Sequence, residues 1–386
     1  MRLLLIHNHY RERGGEDAAF LKDVAMLQRA GHEVHVATKD SRRIKGLRDT
    51  VAVAWNLPHS ACSAHEITNL IGRIQPNLVH VHNLFPLWTA SILPPARHGG
   101  AAVVATLHNF RLFCANGLFL RNDRPCTCCL TGGPLPGLLH GCYRNSRLST
   151  LPMTRQIVNA RRSEIWPKNV DLFLALSSFS RSLFVRGGIP EDRIRVRPNF
   201  CEDIPPLGEK RGDHFLFVGR LSREKGPAQL VRAFEGLPYL LRIVGEGPEL
   251  NGLKGAAPQN VSFLGRLPEK RVAEEMSRAR AVIVPSLCFE NFPLVIAEAY
   301  RAGTPVLASH VGSLPELVEE GKTGALFQPD SPSSMRAAVS MWALKNGADV
   351  SLNCRKKWER EFSEHVVLKQ TEALYSEAVR IRHSTP

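Results

Sequence analysis

The sequence predicts an α/β protein made of two doubly wound, parallel-sheet domains. Three observations predict it. The chain has 386 residues, too long for one ordinary core and near two domains of about 200 residues each. Short apolar runs of strand length alternate with amphipathic stretches along its whole length, and strands apolar on both faces belong in parallel sheets. The alternation stops once, at Pro198-Asn199-Phe200-Cys201-Glu202-Asp203-Ile204-Pro205-Pro206, where prolines cluster.

In the first half the expected strands are Leu3–Ile6, Val34–Ala37, Leu78–Val81, Ala102–Thr106 and Leu172–Leu176. Ser63-x-x-Glu66 has the spacing of a capping box and starts a helix near 64–73. The second half repeats the pattern with Phe215–Val218, Leu241–Val244, Val261–Leu264, Ala281–Val284 and Val306–Ala308. Trp358, Phe362, Val366, Val367, Leu374 and Tyr375 recur at helical spacing. They predict a C-terminal helix over 365–382 that packs back on the first domain. The expected domains are 1–200 and 201–364. Residues 111–149 do not fit, because Asn116-Gly117, Gly132-Gly133-Pro134 and Pro136-Gly137 break any period. An insertion of that length in a compact domain is functional or disordered.

Composition narrows the class. With 44% hydrophobic and 22% charged residues the chain reads as a soluble globular protein. No apolar run approaches the roughly 20 residues that span a bilayer. The N-terminal Met1-Arg2-Leu3-Leu4-Leu5-Ile6 reads as a buried strand rather than a signal peptide, which predicts a cytosolic protein. Of the formal charge of +14, residues 1–200 carry 26 − 13 = +13 and residues 201–386 carry 24 − 23 = +1. A basic first domain suits plain solubility, an anionic membrane surface met peripherally, or a phosphate-bearing acceptor. Nucleic acid is the least favoured partner, since no recognition module or aromatic-basic interleaving is present.

The most informative stretch is 285–305. It places Glu290 in a loop after the apolar run Ala281-Val-Ile-Val284, and Glu298 about two turns into the next helix, which Gly303 caps. Ligands of open α/β sheets bind at the carboxyl edge of the strands. Two carboxylates there, beside free N–H groups at a helix start, suit a ligand with both hydroxyls and phosphate, such as a sugar nucleotide. Phe217-Val218-Gly219-Arg220-Leu221-Ser222-Arg223-Glu224-Lys225-Gly226 places Arg220 and Lys225 at the same edge, a pair suited to a diphosphate. No Asp-x-Asp occurs, so fixed cations stand where a metal would stabilise a departing diphosphate. Gly14-Gly15-Glu16 follows the first strand and permits close backbone approach to an anion, without the spacing of a dinucleotide fingerprint.

Together these residues resemble the family-4-type (GT4) retaining glycosyltransferases of the two-Rossmann GT-B fold, over nearly the whole chain. In the first domain the resemblance rests on Gly14-Gly15, Thr106-Leu-His108-Asn, Ala175-Leu-Ser-Ser-Phe179 and Arg197-Pro-Asn199. In the second it rests on Gly219–Gly226, Val244-Gly-Glu-Gly247, Glu290-x7-Glu298 and Gly312-Ser-Leu-Pro-Glu316. The resemblance implies a retaining enzyme that needs no cofactor for catalysis. By position, Arg220 and Lys225 would bind the donor diphosphate, and Glu298 the ribose hydroxyls. Glu290 would hold donor sugar hydroxyls, with Phe292, Pro293 and Leu294 presenting backbone to sugar and phosphate. His108 would lie at the reaction centre, and Gly14 and Gly15 would approach the phosphate. His80 and His82 are weaker candidates at another strand end. The donor would be a UDP- or GDP-sugar, and the acceptor a glycan, a lipid-linked sugar or a polysaccharide.

Five of the nine cysteines fall within 114–142. Cys114-x11-Cys126-x2-Cys129-x12-Cys142 has the outline of a four-cysteine zinc site. In a cytosolic protein the choice is between a structural zinc and reduced thiols, and spacing leaves it open. Cys62, Cys201, Cys288 and Cys354 read as packing residues. Two other functions remain open: a GT-B sugar-nucleotide epimerase or hydrolase, and a non-catalytic nucleotide-sugar-binding scaffold.

Overall fold

The computed structural model describes residues 1–12, 14–204, 212–344 and 348–384. Pro205 and Pro206 of the expected linker lie outside the described residues. Two compact units emerge: Met1–Phe119, Cys126–Pro198 and Val367–Pro386 form the first, and Leu120–Pro125 with Asn199–Val366 form the second. Among the described residues no helix is long and apolar enough to cross a membrane.

The first unit is built on a parallel sheet. Its strands are β1 (Arg2–His9), β2 (Glu33–Asp40), β3 (Leu78–Asn83) and β4 (Ala102–Leu107), and further on β7 (Leu172–Ala175) and β8 (Ile194–Val196). The short strands β5 (Leu120–Arg121) and β6 (Arg124–Pro125) form a separate antiparallel hairpin. The sheet order is β2-β1-β3-β4-β7-β8. Leu3, Leu4, Leu5 and Ile6 of β1 have no exposure at all, so both faces of the strand are covered.

In the second unit the strands are β9 (His214–Val218), β10 (Leu240–Val244), β11 (Val261–Gly265), β12 (Val282–Val284), β13 (Val306–Ser309) and β14 (Gly324–Phe327). Their order is β11-β10-β9-β12-β13-β14, all parallel. The order reverses between β9 and β12, and a reversal of this kind opens a crevice at the carboxyl ends of the two strands. The first unit reverses between β1 and β3. The outermost strands β8 and β14 were not expected from the sequence. Arg195 splits the short apolar run of the first, and the second opens on Gly324.

Several local expectations shift. The helix expected near 64–73 runs Ala61–Ile74, and its N-cap is Ser60, whose Oγ accepts from Ser63 N at 3.2 Å. Ser63 is therefore inside the helix, where its Oγ donates to the Leu87 carbonyl at 2.9 Å. The helix holding Glu298 begins only at Leu294, because Pro293 cannot continue a helix backwards. Glu298 thus lies one turn in, not two. Its C-cap is Ala302, with Gly303 next in the left-handed region at φ 68°. The C-terminal helix expected over 365–382 runs Glu364–Ser384, while Trp358 and Phe362 fall before it, in a π-helical turn, Trp358–Phe362, that follows the helix Ala348–Lys357.

The last helix is tied to the first unit by polar side chains. Tyr375 OH meets His80 Nδ1 at 2.7 Å, Arg197 Nε donates to Thr371 Oγ1 at 3.0 Å, and Arg195 pairs with Glu377 at 2.6 Å. The insertion is packed rather than irregular. Phe110, Phe113, Phe119 and Leu130 are buried, and the Phe110 and Phe119 rings lie 4.7 Å apart. A short helix, Leu135–Leu139, and a long one, Arg147–Ser163, complete it.

Candidate active site

The second unit gathers its candidate residues at the strand-order reversal. After β9 the chain makes a short turn, Arg223–Lys225, and enters the helix Pro227–Phe234 through Gly226. Gly226 has φ 68°, and a Cβ there would collide with the Pro285 carbonyl oxygen. Only glycine brings the β9 loop this close to the β12 loop. Arg220 is exposed between two anchored residues: Gly219 N donates to Val244 O at 3.0 Å, and Leu221 N to Glu246 O at 2.9 Å. The Val244–Gly247 stretch is thus the shelf under the Arg220 loop.

Lys225 and Glu290 meet. Lys225 Nζ donates to Glu290 Oε1 at 2.6 Å, and Ser286 Oγ donates to the same oxygen at 2.6 Å. Glu290 is 9% exposed, while the lysine side chain keeps 32% of its exposure. Burial alone would lower the lysine pKa, but the facing Glu290 carboxylate overrides it and the net shift is upward. Lys225 therefore stays protonated with donors to spare for a second anion. The Glu290 backbone is fixed from the other side: Ser313 N donates to Glu290 O at 3.1 Å, and Gly312, at φ 64°, is so close that a Cβ would lie 2.7 Å from Glu290 N. That approach explains the Gly312-Ser-Leu-Pro-Glu316 motif.

Phe292 and Pro293 are buried and Leu294 is half-buried; Asn199 Nδ2 donates to the Phe292 carbonyl at 3.3 Å. Glu298 is half-buried on the helix that follows. Ser286 was missed by the sequence reading. Its signal was faint, a small hydroxyl residue four places before the loop carboxylate, and only the turn of the loop brings the two together.

In the first unit Gly14 and Gly15 open the helix Gly15–Arg29, with Gly14 as N-cap. Gly14 N donates to Asp17 Oδ2 at 3.1 Å. Asp17 also receives His7 Nε2 at 3.1 Å and His9 Nδ1 at 2.7 Å, which ties the glycine loop to β1. Burial works to raise the Asp17 pKa, yet these hydrogen bonds prevail and lower it. A Cβ at Gly14 or Gly15 would meet nothing within 4 Å, so internal packing does not call for glycine at either place.

His108 is half-buried after β4, and its Nε2 lies 3.0 Å from His82 Nδ1. Burial first, then the charges of His7 and Arg197, lower the His108 pKa to about 3. His80 and His82 are likewise pushed well below the ordinary value by burial. Both ring nitrogens of His80 are engaged, Nδ1 with Tyr375 and Nε2 with Thr106 Oγ1 at 2.7 Å, so His80 is a core residue and not a ligand contact. Beneath them Arg197 forks the Asp23 carboxylate, both groups almost fully buried. The sequence reading missed Asp23 and Asp17, since single acids in an amphipathic helix carry no distinguishing pattern.

The four cysteines of the insertion are partly assembled. Cys114 and Cys129 are buried, Cys126 and Cys142 half-buried. The Cys129 thiol is raised to about 11 by burial and by the nearby Cys114, Cys142 and Cys126 sulfurs. Backbone N–H groups of Asn116, Gly117, Leu118 and Phe119 point at the Cys114 sulfur. Yet the sulfurs do not reach the spacing of a closed thiolate site, where neighbours stand ~3.8 Å apart. Among the described residues the His, Cys, Asp and Glu group whose ligand atoms lie within 4.8 Å of one another is His7, His9 and Asp17. Of the other cysteines, Cys201, Cys288 and Cys354 are buried as expected, but Cys62 is exposed.

Comparison with known proteins gives the family and the fold. The family model for Glycosyltransferase Family 4 matches residues 24–203, and that for glycosyl transferases group 1 matches residues 202–361. An exopolysaccharide phosphotransferase of Streptomyces coelicolor is 31% identical over 206 residues, 49% of this chain and 21% of its own. A D-inositol 3-phosphate glycosyltransferase of Mycobacteroides abscessus is 35% identical over 147 residues, 35% of this chain and 33% of its own. The chain thus spans a fifth to a third of the length of these curated relatives. Among solved structures, HepE of Anabaena, in complex with UDP and glucose, superposes with a TM-score of 0.67 at 18% identity, over 97% of this chain and 99% of its own. Sucrose-phosphate synthase of Thermosynechococcus elongatus gives 0.70 at 18% identity, over 97% and 98%. Two six-stranded parallel sheets, the motifs ordered along them and two family models that between them take in residues 24–361 lead to one assignment: the chain belongs to the family 4, group 1 glycosyltransferases, with the GT-B fold.

Proposed function

We propose that the protein is a retaining glycosyltransferase that moves a sugar from a nucleotide-sugar donor to a hydroxyl of a glycan, lipid-linked or polysaccharide acceptor. The observation that carries the reading is the Lys225–Glu290 pair, held by Ser286 at the strand-order reversal. Arg220 and Lys225 receive the donor diphosphate, Glu290 accepts hydroxyls of the donor sugar, and Glu298 accepts those of the ribose. The backbone of Phe292, Pro293 and Leu294 faces sugar and phosphate. The roles that the family implies for His108, Gly14 and Gly15 belong to the same reading. Open space above both glycines supports close backbone approach to an anion.

In the reaction the bond from the anomeric carbon to the diphosphate breaks, and a bond to the acceptor oxygen forms on the same face. The acceptor proton passes to the departing diphosphate. Fixed cations stabilise the charge that develops on that diphosphate, and groups held before the donor arrives need no reorganisation. UDP-sugars are the first donors to try, since HepE is described with UDP-glucose, and GDP-sugars the second.

Thermal unfolding with UDP, GDP and their sugars tests the donor. A true donor at 100 times its dissociation constant stabilises by about 2.7 kcal/mol. Donor turnover that requires an added glycan acceptor supports transfer. Turnover equal with and without acceptor supports a hydrolase, and activity unchanged in Lys225→Ala and Glu290→Ala overturns the site. A structural zinc at Cys114, Cys126, Cys129 and Cys142 is a separate part of the proposal, supported by the N–H groups around Cys114. It has no part in the chemistry.

A further inference from the structure

The first unit carries an apolar stripe that nothing among the described residues covers. The helix Gly46–Asn56 has no buried residue. Leu47, Val51 and Trp55 recur at every fourth position, so they share one face, and they are 78%, 58% and 71% exposed. Trp55 lies under Arg155 of the helix Arg147–Ser163, with the guanidinium 5.3 Å from the ring centre. Arg155 belongs to a row that continues back through Leu151 and Leu148, the latter 82% exposed. The two helices are fixed together below, where Leu57 packs on Met153 and Asn159 Nδ2 donates to the Pro58 carbonyl at 3.0 Å. Leu47, Val51, Trp55, Arg155, Leu151 and Leu148 thus form one continuous surface.

Charge decides what this surface fits. Residues 41–60 and 126–163 together hold nine Lys and Arg against a single acid, Asp49. Arg43, Lys45, Arg48, Arg144, Arg147 and Arg162 are exposed. A second copy of the chain would bring the same excess of positive charge against itself, and like charges across an interface are repulsive. An apolar stripe bordered by arginines is instead complementary to anionic headgroups above acyl chains. No described helix can cross a bilayer, so the contact would lie along the surface.

We propose that this stripe seats the first unit on an anionic lipid bilayer, the aliphatic side chains and Trp55 entering the headgroup boundary and the arginines meeting lipid phosphate. It extends the acceptor half of the function proposed above, where a lipid-linked sugar is one substrate. Its test needs no donor and no transfer, so either reading fails without the other.

The experiment is sedimentation of the full chain with vesicles of phosphatidylcholine alone, or of phosphatidylcholine with 30% phosphatidylglycerol (about 30 mol%, enough for a distinctly negative surface). Binding to the anionic vesicles, at least tenfold weaker to the neutral ones, is expected. The triple variant Leu47→Gln/Val51→Gln/Trp55→Gln should lose at least tenfold in anionic-vesicle partition, and so should the double variant Arg48→Glu/Arg155→Glu. Both should keep the wild-type unfolding midpoint, since the substituted side chains are exposed. If a combined variant fails to fold, the single variants Leu47→Gln and Arg48→Glu give the same comparison. Equal partition to neutral and anionic vesicles overturns the proposal. So does partition unaffected by the apolar substitutions, or a dimer in wild-type chain that the triple variant abolishes. Preferential retention of the wild type by a soluble single-stranded RNA, with no vesicle binding, also overturns it.

Discussion

His82 Nδ1 lies 3.0 Å from His108 Nε2, and both imidazoles are held in the neutral form. One of the two nitrogens donates, so each ring fixes the tautomer of the other. With His80 they make three histidines whose folded pKa values are depressed by burial. In the unfolded chain each would titrate near 6.5. Below that pH the unfolded state binds protons that the native state refuses, so stability falls as pH falls. The loss begins near pH 6.5 and for His108 continues to about 3. Each histidine should cost on the order of 1 kcal/mol by pH 5.5. Urea midpoints at pH 7.5 and pH 5.5 measure the sum; equal midpoints would sink the assignment of all three as neutral.

Lys225→Ala removes a phosphate partner and leaves Glu290 buried without its cation. Transfer should fall by about 10²–10³-fold, mostly in kcat. Glu298→Ala touches only ribose hydroxyls in the proposed complex. Its effect should be a rise of about tenfold in donor KM with kcat nearly intact. Steady-state kinetics on both variants separate the two roles, and the reverse split would exchange them.

Two glycines should behave oppositely. Gly312→Ala places a Cβ 2.7 Å from Glu290 N in a left-handed backbone, so it strains the loop and displaces the carboxylate. A stability loss of about 1–3 kcal/mol with a large loss of transfer is expected. Gly14→Ala meets nothing within 4 Å and has an extended backbone at φ −130°. It should leave the unfolding midpoint unchanged and weaken donor binding. A Gly14→Ala variant with wild-type donor affinity would remove that loop from the site.

Arg197 and Asp23 form a buried fork, and neither can be deleted alone. Asp23→Asn strands the guanidinium among apolar and imidazole groups and should destabilise by about 3–5 kcal/mol. Arg197→Met should cost a similar amount. Denaturant unfolding of the two single variants and the double variant provides the cycle. If the single losses simply add, the pair is not coupled.

Metal content settles the cysteine cluster. Protein purified without chelators is expected to hold close to one zinc per chain, and Cys114→Ser or Cys129→Ser should abolish it. Zinc near zero, with all four thiols freely titrated by a disulfide reagent, would leave them as reduced packing residues.

The sequence by itself determined the two-sheet architecture, because alternating apolar runs have few solutions other than buried parallel strands. It also singled out the residues proposed to bind the donor. Arg220, Lys225, Glu290 and Glu298 lie close to strand ends, and strand ends are legible from apolar periodicity. Tertiary structure alone decided which side chains touch. The Lys225–Glu290–Ser286 contact depends on Gly226 and Gly312 letting separate loops approach, and pattern carries no distances. The edge strands β8 and β14 were illegible because Arg195 splits the short apolar run of the first and the second opens on Gly324. The arrangement under His108 was hidden for a different reason. Asp23 and Arg197 are 174 residues apart and Tyr375 comes from the last helix, and burial of charge is a property of the packed core alone. The exposed stripe from Leu47 to Leu148 shows the converse, since apolar residues in the sequence carry no mark of which the fold leaves outside.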